Sequence, residues 1–358
     1  MSDIQPFLKE LLSVPGLSGY EAPAAKIIAE KWRPLVHEIN TSKLGSLHGL
    51  RRGTGKESRP SVMIAAHMDA IGLMVSGIVE GGFLRVTAIG GMDGRVLPGQ
   101  PVTVHTTSTG NREDLPGVVV QPPAHLLPPE VGSNPVPLEY LLVDVGLPPR
   151  KVDELIHVGD PVSFAQPPLE LTGETLAGHN VDNRASVAAL TACLEELQCR
   201  PHVWDVWAVA TVQEETSLIG AYTSSYQLRP QIAIVVDTSW AKGPGASDWN
   251  TFPLGKGPTI MRGPNIHPAL HKAFKELAER LEIPHAVEIT PLHTGTDAFA
   301  TQVTAEGIPS VALGIPIRYM HTPVEVVAIK DIQRAGRLMA EFIAGLQPDF
   351  MEKLSWDE

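Results

Sequence analysis

The chain has 358 residues, of which 43% are hydrophobic and 19% charged, the balance of an ordinary globular protein with room for one large domain and a smaller one. Its formal charge of −12 supplies no basic excess to displace counterions, which argues against a nucleic-acid or anionic-membrane surface. No apolar run approaches the roughly 20 residues that cross a bilayer. The N-terminal residues also lack the basic flank and apolar core of a signal peptide. With only Cys193 and Cys199, at a spacing that fits neither a redox motif nor a zinc ribbon, a cytoplasmic protein with reduced thiols is expected. Any metal site must then be built from His, Asp and Glu.

In chain order, residues 4–14 and 21–33 read as helices separated by the Pro15-Gly16 break. Ser61 to Ala66 reads as a buried strand. From residue 71 to about 165, short Val/Ile/Leu runs alternate with Gly and Pro pairs, the pattern of a compact, mostly β insert. Beyond it, a helix is predicted over 182–197, with Asp182 or Asn183 as its cap. Strands follow at 203–213, 231–237 and 309–314, and helices near 218–228, 268–282 and 330–345. Strands alternating with helices imply an α/β sandwich. The expected architecture is an α/β domain of residues 1–67 and 166–358, interrupted by a β-rich domain of residues 68–165.

The chemistry-bearing residues fall at the ends of these elements. Glu214 and Glu215 end the apolar run 203–212, and on a strand tip consecutive side chains point apart, so the two carboxylates are expected to do different jobs. His67 and Asp69 follow the strand 61–66 and can supply a ligand and its orienting carboxylate. Asp182 reads either as a helix cap or as a carboxylate aimed at two metals. Asp237 ends a buried run, where an acid is costly unless paired or coordinated, and His321 follows the strand 309–314. In an open α/β sheet such positions can converge at the carboxyl edge. One shared Asp, with one His and one acid per ion, is the donor set of a dinuclear centre for zinc, cobalt or manganese.

Ordered motifs along nearly the whole chain resemble the tetrahedral (TET) aminopeptidases, dinuclear metallopeptidases of the glutamyl and deblocking type. They include Pro15-Gly16-Leu17-Ser18-Gly19-Tyr20-Glu21, His67-Met68-Asp69, Arg95-Val96-Leu97-Pro98-Gly99-Gln100, Asp182-Asn183-Arg184, Gln213-Glu214-Glu215, Gly295-Thr296-Asp297 and Arg318-Tyr319-Met320-His321. The resemblance implies a three-layer α/β/α sandwich with a barrel-like dimerisation insert. It implies two divalent ions, with Asp182 bridging, His67 and Asp237 on one, and Glu215 and His321 on the other. Glu214 would be the general base, Asp69 the His67 orienter, peptides with a free N-terminus the substrates, and a dimer or dodecamer the assembly.

The chain departs from the family pattern at Ala70, at Thr216 and Ser217, after Asp237, and at His293-Thr294. These departures bear on substrate preference, for which Trp240, Lys242, His293 and Arg318 are candidate pocket residues. Three other readings compete. One is a metal-dependent deacylase or amidohydrolase of a small metabolite, and another a non-catalytic assembly protein. The third is a glycosidase, for which adjacent glutamates and an aromatic content of 5% are poor credentials.

Overall fold

A computed structural model describes residues 3–56, 58–107, 113–129, 131 and 134–356. Its spine is an 11-stranded sheet. Four strands at its centre are parallel and run side by side: Asp205–Thr211, Ser61–His67, Ile232–Trp240 and Ser310–Arg318. Burial on both faces explains their near-continuous runs of Val, Ile and Ala, such as Val62 to Ala66 and Ile232 to Val236, all 0% exposed. Antiparallel strands flank them, Leu47–Arg51 and Glu38–Thr41 on one side, Glu325–Ala328, Thr175–Gly178 and Leu169–Leu171 on the other. A side branch of Thr259–Arg262 and Ala286–Ile289 leaves the strand Ser310–Arg318.

Helices cover both faces, giving the α/β/α sandwich that the alternating pattern implies. The buried helix Val181–Gln198 lies on one face with Ile329–Gly345, Gln5–Leu12 and Ala22–Trp32 around it, while Ile219–Leu228 and Asp297–Gln302 cover the other. The amphipathic Ile329–Gly345 and the largely buried Val181–Gln198 meet closely at Gly336. A Cβ there would stand 2.7 Å from the Ala189 carbonyl oxygen and 2.8 Å from the Ala192 methyl.

The insert forms a closed six-stranded barrel between Gly72 and Phe164, filled by its own core of Leu73, Val86, Val104, Val119, Val143 and Val162. That core is separate from the cluster within the sandwich. The barrel leaves the sheet just after His67 and returns to it through Leu169–Leu171, so the chain on either side of it is brought to the carboxyl end of the parallel strands.

Several expectations need correction. The strand 203–213 stops at Thr211, because Gln213 takes a left-handed conformation (φ 55°) and opens the short helical turn Glu214–Ser217. Asp237 does not end its strand, which runs on to Trp240. Asn183 immediately precedes the regular turns, but neither its side-chain oxygen nor Asp182 Oδ1 accepts a capping hydrogen bond. Asn180 stands at its start, and the backbone is non-helical at both residues before the regular turns begin. The short flanking strands escaped the sequence reading, since a period of two over three to five residues carries little signal. The close contact at Gly336 predicts that Gly336→Ala, which has no room to relax against backbone, lowers stability by about 1–3 kcal/mol. Denaturant midpoints of the two proteins measure this, and an unshifted midpoint contradicts the packing described.

Candidate metal centre

The parallel register sets the floor of the site. Thr211 pairs with His67, and Ala65 with Val235, so His67 and Asp237, each two residues further on, stand level at the carboxyl edge. Asp182 reaches the same spot from the start of its helix, where the Asp182–Asn183 peptide is cis and the Asn183 amide donates to the Val236 carbonyl at 3.0 Å. His321 arrives from the loop after Ser310–Arg318, and Glu214 and Glu215 from the turn after Thr211.

Two groups of donors result. Ligand atoms of His67, Asp182 and Asp237 lie within 4.8 Å of one another, and so do those of Asp182, Glu215 and His321. His67 Nε2 is 3.4 Å from one Asp182 oxygen and 3.7 Å from Asp237 Oδ1. His321 Nε2 is 3.5 Å from the other Asp182 oxygen and 3.6 Å from Glu215 Oε2. Asp182 therefore presents one oxygen to each group. Glu214 belongs to neither, although its Oε2 comes within 3.7 Å of His67 Nε2.

Hydrogen bonds from behind hold these groups in place. Asp69 accepts from the backbone N–H of Glu214 at 3.0 Å and of Glu215 at 3.1 Å, which anchors the turn carrying both glutamates. Its contact with His67 Nδ1 runs through the backbone carbonyl at 3.2 Å, with the carboxylate at 3.5 Å. Glu21 fixes the same loop from below, accepting from Gly19 N–H and Gln213 N–H. Glu325, fully buried, accepts from the N–H of both Asp182 and His321. Asp297 accepts from the Thr211 hydroxyl. Arg184, also fully buried, donates to the carbonyls of Leu11, Val14 and Met68 and places a guanidinium beside Asp69 and Glu21.

The electrostatics of this assembly are one-sided. Asp69, Asp182, Glu214, Glu215, Asp237, Asp297 and Glu325 converge with little counter-charge of their own. Burial, reinforced by neighbouring carboxylates, pushes Glu214 and Glu325 well above the usual carboxylate range, Glu215 to about 8 and Asp297 to about 7. Asp182 goes the other way. Burial opposes its ionisation, but His321 and His67 more than offset that and hold it far below its ordinary value. Burial likewise opposes charge on His67, yet Glu214, Asp182, Asp237 and Asp69 hold its imidazolium well above the ordinary value, while Asp182 and Glu215 raise His321 to about 9.

The residues present fit divalent cations. Asp182 Oδ1 and Glu215 Oε1 are buried without a hydrogen-bond partner among the described residues, and both lie in the donor groups. Orphaned buried carboxylate oxygens are expensive unless a cation claims them. Histidine nitrogen and carboxylate oxygen are donors suited to zinc, cobalt or manganese.

A cavity of 810 Å³ opens above the donors. Of the candidate pocket residues, Trp240 and His293 line it. Arg318 and Lys242 do not. Arg318 turns into an adjoining cavity of 710 Å³ and donates from Nε to the Lys242 carbonyl, and the exposed Lys242 side chain lines neither space. Glu325 was missed, although it heads a buried Val-Val run and so carries the same signal as Asp237. Asp297 was legible only as part of its motif, and Glu288, which also lines the cavity, offered no signal in so short a strand.

The M42 glutamyl aminopeptidase family model matches residues 45–338. A lysyl aminopeptidase of Pyrococcus furiosus is 34% identical over 344 residues, covering 95% of this chain and 97% of that protein. The TET aminopeptidase structure from the marine sediment archaeon Thaumarchaeota archaeon SCGC AB-539-E09 superposes with a TM-score of 0.91 at 28% identity, covering 98% of this chain and 99% of that one. The TET1 peptidase of Pyrococcus horikoshii, which can assemble into a tetrahedron or a large octahedral shell, superposes with a TM-score of 0.81 at 28% identity, covering 96% of this chain and 100% of that one. This chain belongs to the M42 glutamyl aminopeptidase family.

Proposed function

We propose that this metal-dependent aminopeptidase removes the N-terminal residue of a peptide at a dinuclear centre, with Glu214 as the proton carrier. The observation behind this reading is the partition of the donors. Two groups of three share Asp182, and one further glutamate stands beside them in neither. His67 and Asp237 would hold one divalent ion, Glu215 and His321 the other, and Asp182 both. Zinc, cobalt or manganese so bound supplies Lewis acidity, acidifying water and polarising the scissile carbonyl.

The protein's own groups do the rest. Glu214 takes the proton that the attacking water loses and returns it to the departing nitrogen. Burial and nearby carboxylates raise its proton affinity, so it can hold that proton between the two transfers. Asp69 keeps Glu214 and Glu215 in register by gripping their backbone N–H groups, and its carbonyl orients the His67 ring. A glycosidase needs two carboxyls facing each other across a sugar, whereas Glu214 and Glu215 share one turn and reach towards the same donor cluster.

Self-association belongs to the same proposal. The barrel has an independent core and stands outside the sandwich, so it is suited to carry subunit contacts in a dimer or in a dodecamer built from dimers. Light scattering after size exclusion is expected to return a mass of two or twelve chains, and a monomer at working concentration contradicts this.

Two measurements test the chemistry. Glu214→Gln is expected to keep metal content and fold while losing about 100-fold or more in turnover, whereas Glu215→Ala is expected to lose metal as well. Peptidase activity persisting in Glu214→Gln would sink the assigned role. Protons also compete with the ions for His67 and His321, so metal affinity should fall as pH drops below about 9, where His321 is protonated, and rise towards that value. Calorimetry near pH 7 in buffers of different ionisation enthalpy is expected to show about three protons released as the site fills, from His67, His321 and Glu215. No release would mean that the histidines are not ligands.

A further inference from the structure

We propose that Glu288 makes the substrate pocket selective for a cationic N-terminal side chain, lysine or arginine; this rests on the aminopeptidase reading above. In the strand Ala286–Ile289, Val287 and Ile289 are exposed while Glu288 is buried at 6% exposure, and Glu288 and Ile289 both line the 810 Å³ cavity above the donors. A buried carboxylate in a pocket wall is costly and needs a partner.

One of its oxygens is occupied. Oε2 accepts from Ser239 Oγ at 2.7 Å and from Thr259 Oγ1 at 2.6 Å. The neighbouring strand makes room for this trio at Gly314. A Cβ there would lie 1.7 Å from Ser239 Oγ, 2.4 Å from Thr259 Oγ1 and 3.0 Å from Glu288 Oε2. The other oxygen, Oε1, accepts no hydrogen bond from any described residue.

The placement matches the reach of a long cation. Asp237 and Ser239 lie two residues apart on one strand and so face the same way, roughly 7 Å along it. Asp237 marks the donor cluster and Ser239 binds Glu288, so the carboxylate stands about one extended lysine stem beyond the donors. Met261 and Phe299 line the same cavity and offer apolar wall to the methylenes. No lysine or arginine among the described residues lines it, so an acidic side chain would meet Glu288 without counter-charge. Cationic ligands are the class that this wall satisfies.

The test uses the full chain reconstituted with zinc or cobalt and aminoacyl p-nitroanilides of Lys, Arg, Leu and Glu. Lys and Arg are expected to exceed Leu in kcat/KM by about tenfold, and Glu by more, as one charge-assisted contact provides. Glu288→Gln retains an oxygen for the Ser239 and Thr259 hydroxyls and removes the charge, so its Lys-to-Leu ratio is expected to fall by about tenfold. Calorimetry with free L-lysine and L-norleucine reads the pocket apart from turnover, and lysine is expected to bind the parent more tightly. If the variant does not fold, the parent's ratios and the two binding constants decide alone. A parent that prefers Leu or Glu, equal binding of lysine and norleucine, or an unaltered ratio in a folded Glu288→Gln overturns the proposal. Absence of all turnover overturns the aminopeptidase reading instead, and tighter lysine binding would then still support the pocket.

Discussion

A carboxylate stripped of water must find a cation or enough hydrogen-bond donors, and here seven of them converge in one buried place. Four are met largely from behind: Asp69 by two backbone N–H groups, Asp297 by Thr211, and Glu325 by the N–H of Asp182 and His321, with Asp237 receiving the N–H of Thr238 at 2.7 Å. Asp182, Glu214 and Glu215 are left dependent on two histidines. The imbalance explains why both imidazoles are driven towards the charged form and why most of the acids resist ionisation. Two divalent cations bound as proposed would remove the conflict, releasing the histidine protons and claiming the orphaned oxygens of Asp182 and Glu215.

The fold exists to hold that conflict in place. Parallel strands bring His67 and Asp237 level, and the helix Val181–Gln198 inserts Asp182 between them and His321. Arg184, sealed beneath, ties the helix to the carbonyls of the first loop and of Met68, and Gly16 is required there because a Cβ would stand 2.3 Å from its guanidinium. The apolar sandwich supplies rigidity, and the barrel, leaving and returning at the same edge, adds a separate body without disturbing the centre.

Much of this was legible in the chain. Long buried runs announced the parallel strands, and the alternation of texture announced the insert. His67, Asp182, Glu215, Asp237 and His321 stood out because each lies near an element end, and the structure does bring them together. Glu214 and Glu215 do not stand on a strand tip with their side chains pointing apart, as the apolar run before them implied. The pair lies on a helical turn opened by left-handed Gln213, so both side chains reach the site, and what separates their positions is which donors each one meets. Glu325, Glu288 and the grip of Asp69 on the turn stayed hidden because each depends on at least one tertiary neighbour far along the chain, 143, 49 and 146 residues away respectively. Arg318 and Lys242, expected in the pocket beside the departures from the family pattern, lie outside it, with Arg318 in the adjoining cavity and bonded to the Lys242 carbonyl.

The central claim is that Asp182 is shared by two cations, with Glu214 bound to neither. Anomalous scattering at the zinc edge, from crystals of the zinc-loaded protein, tests it most directly. Two peaks are expected, one bonded to His67 and Asp237, the other to Glu215 and His321, both bonded to Asp182. A single peak, or a peak bonded to Glu214 in place of Glu215, would contradict the account.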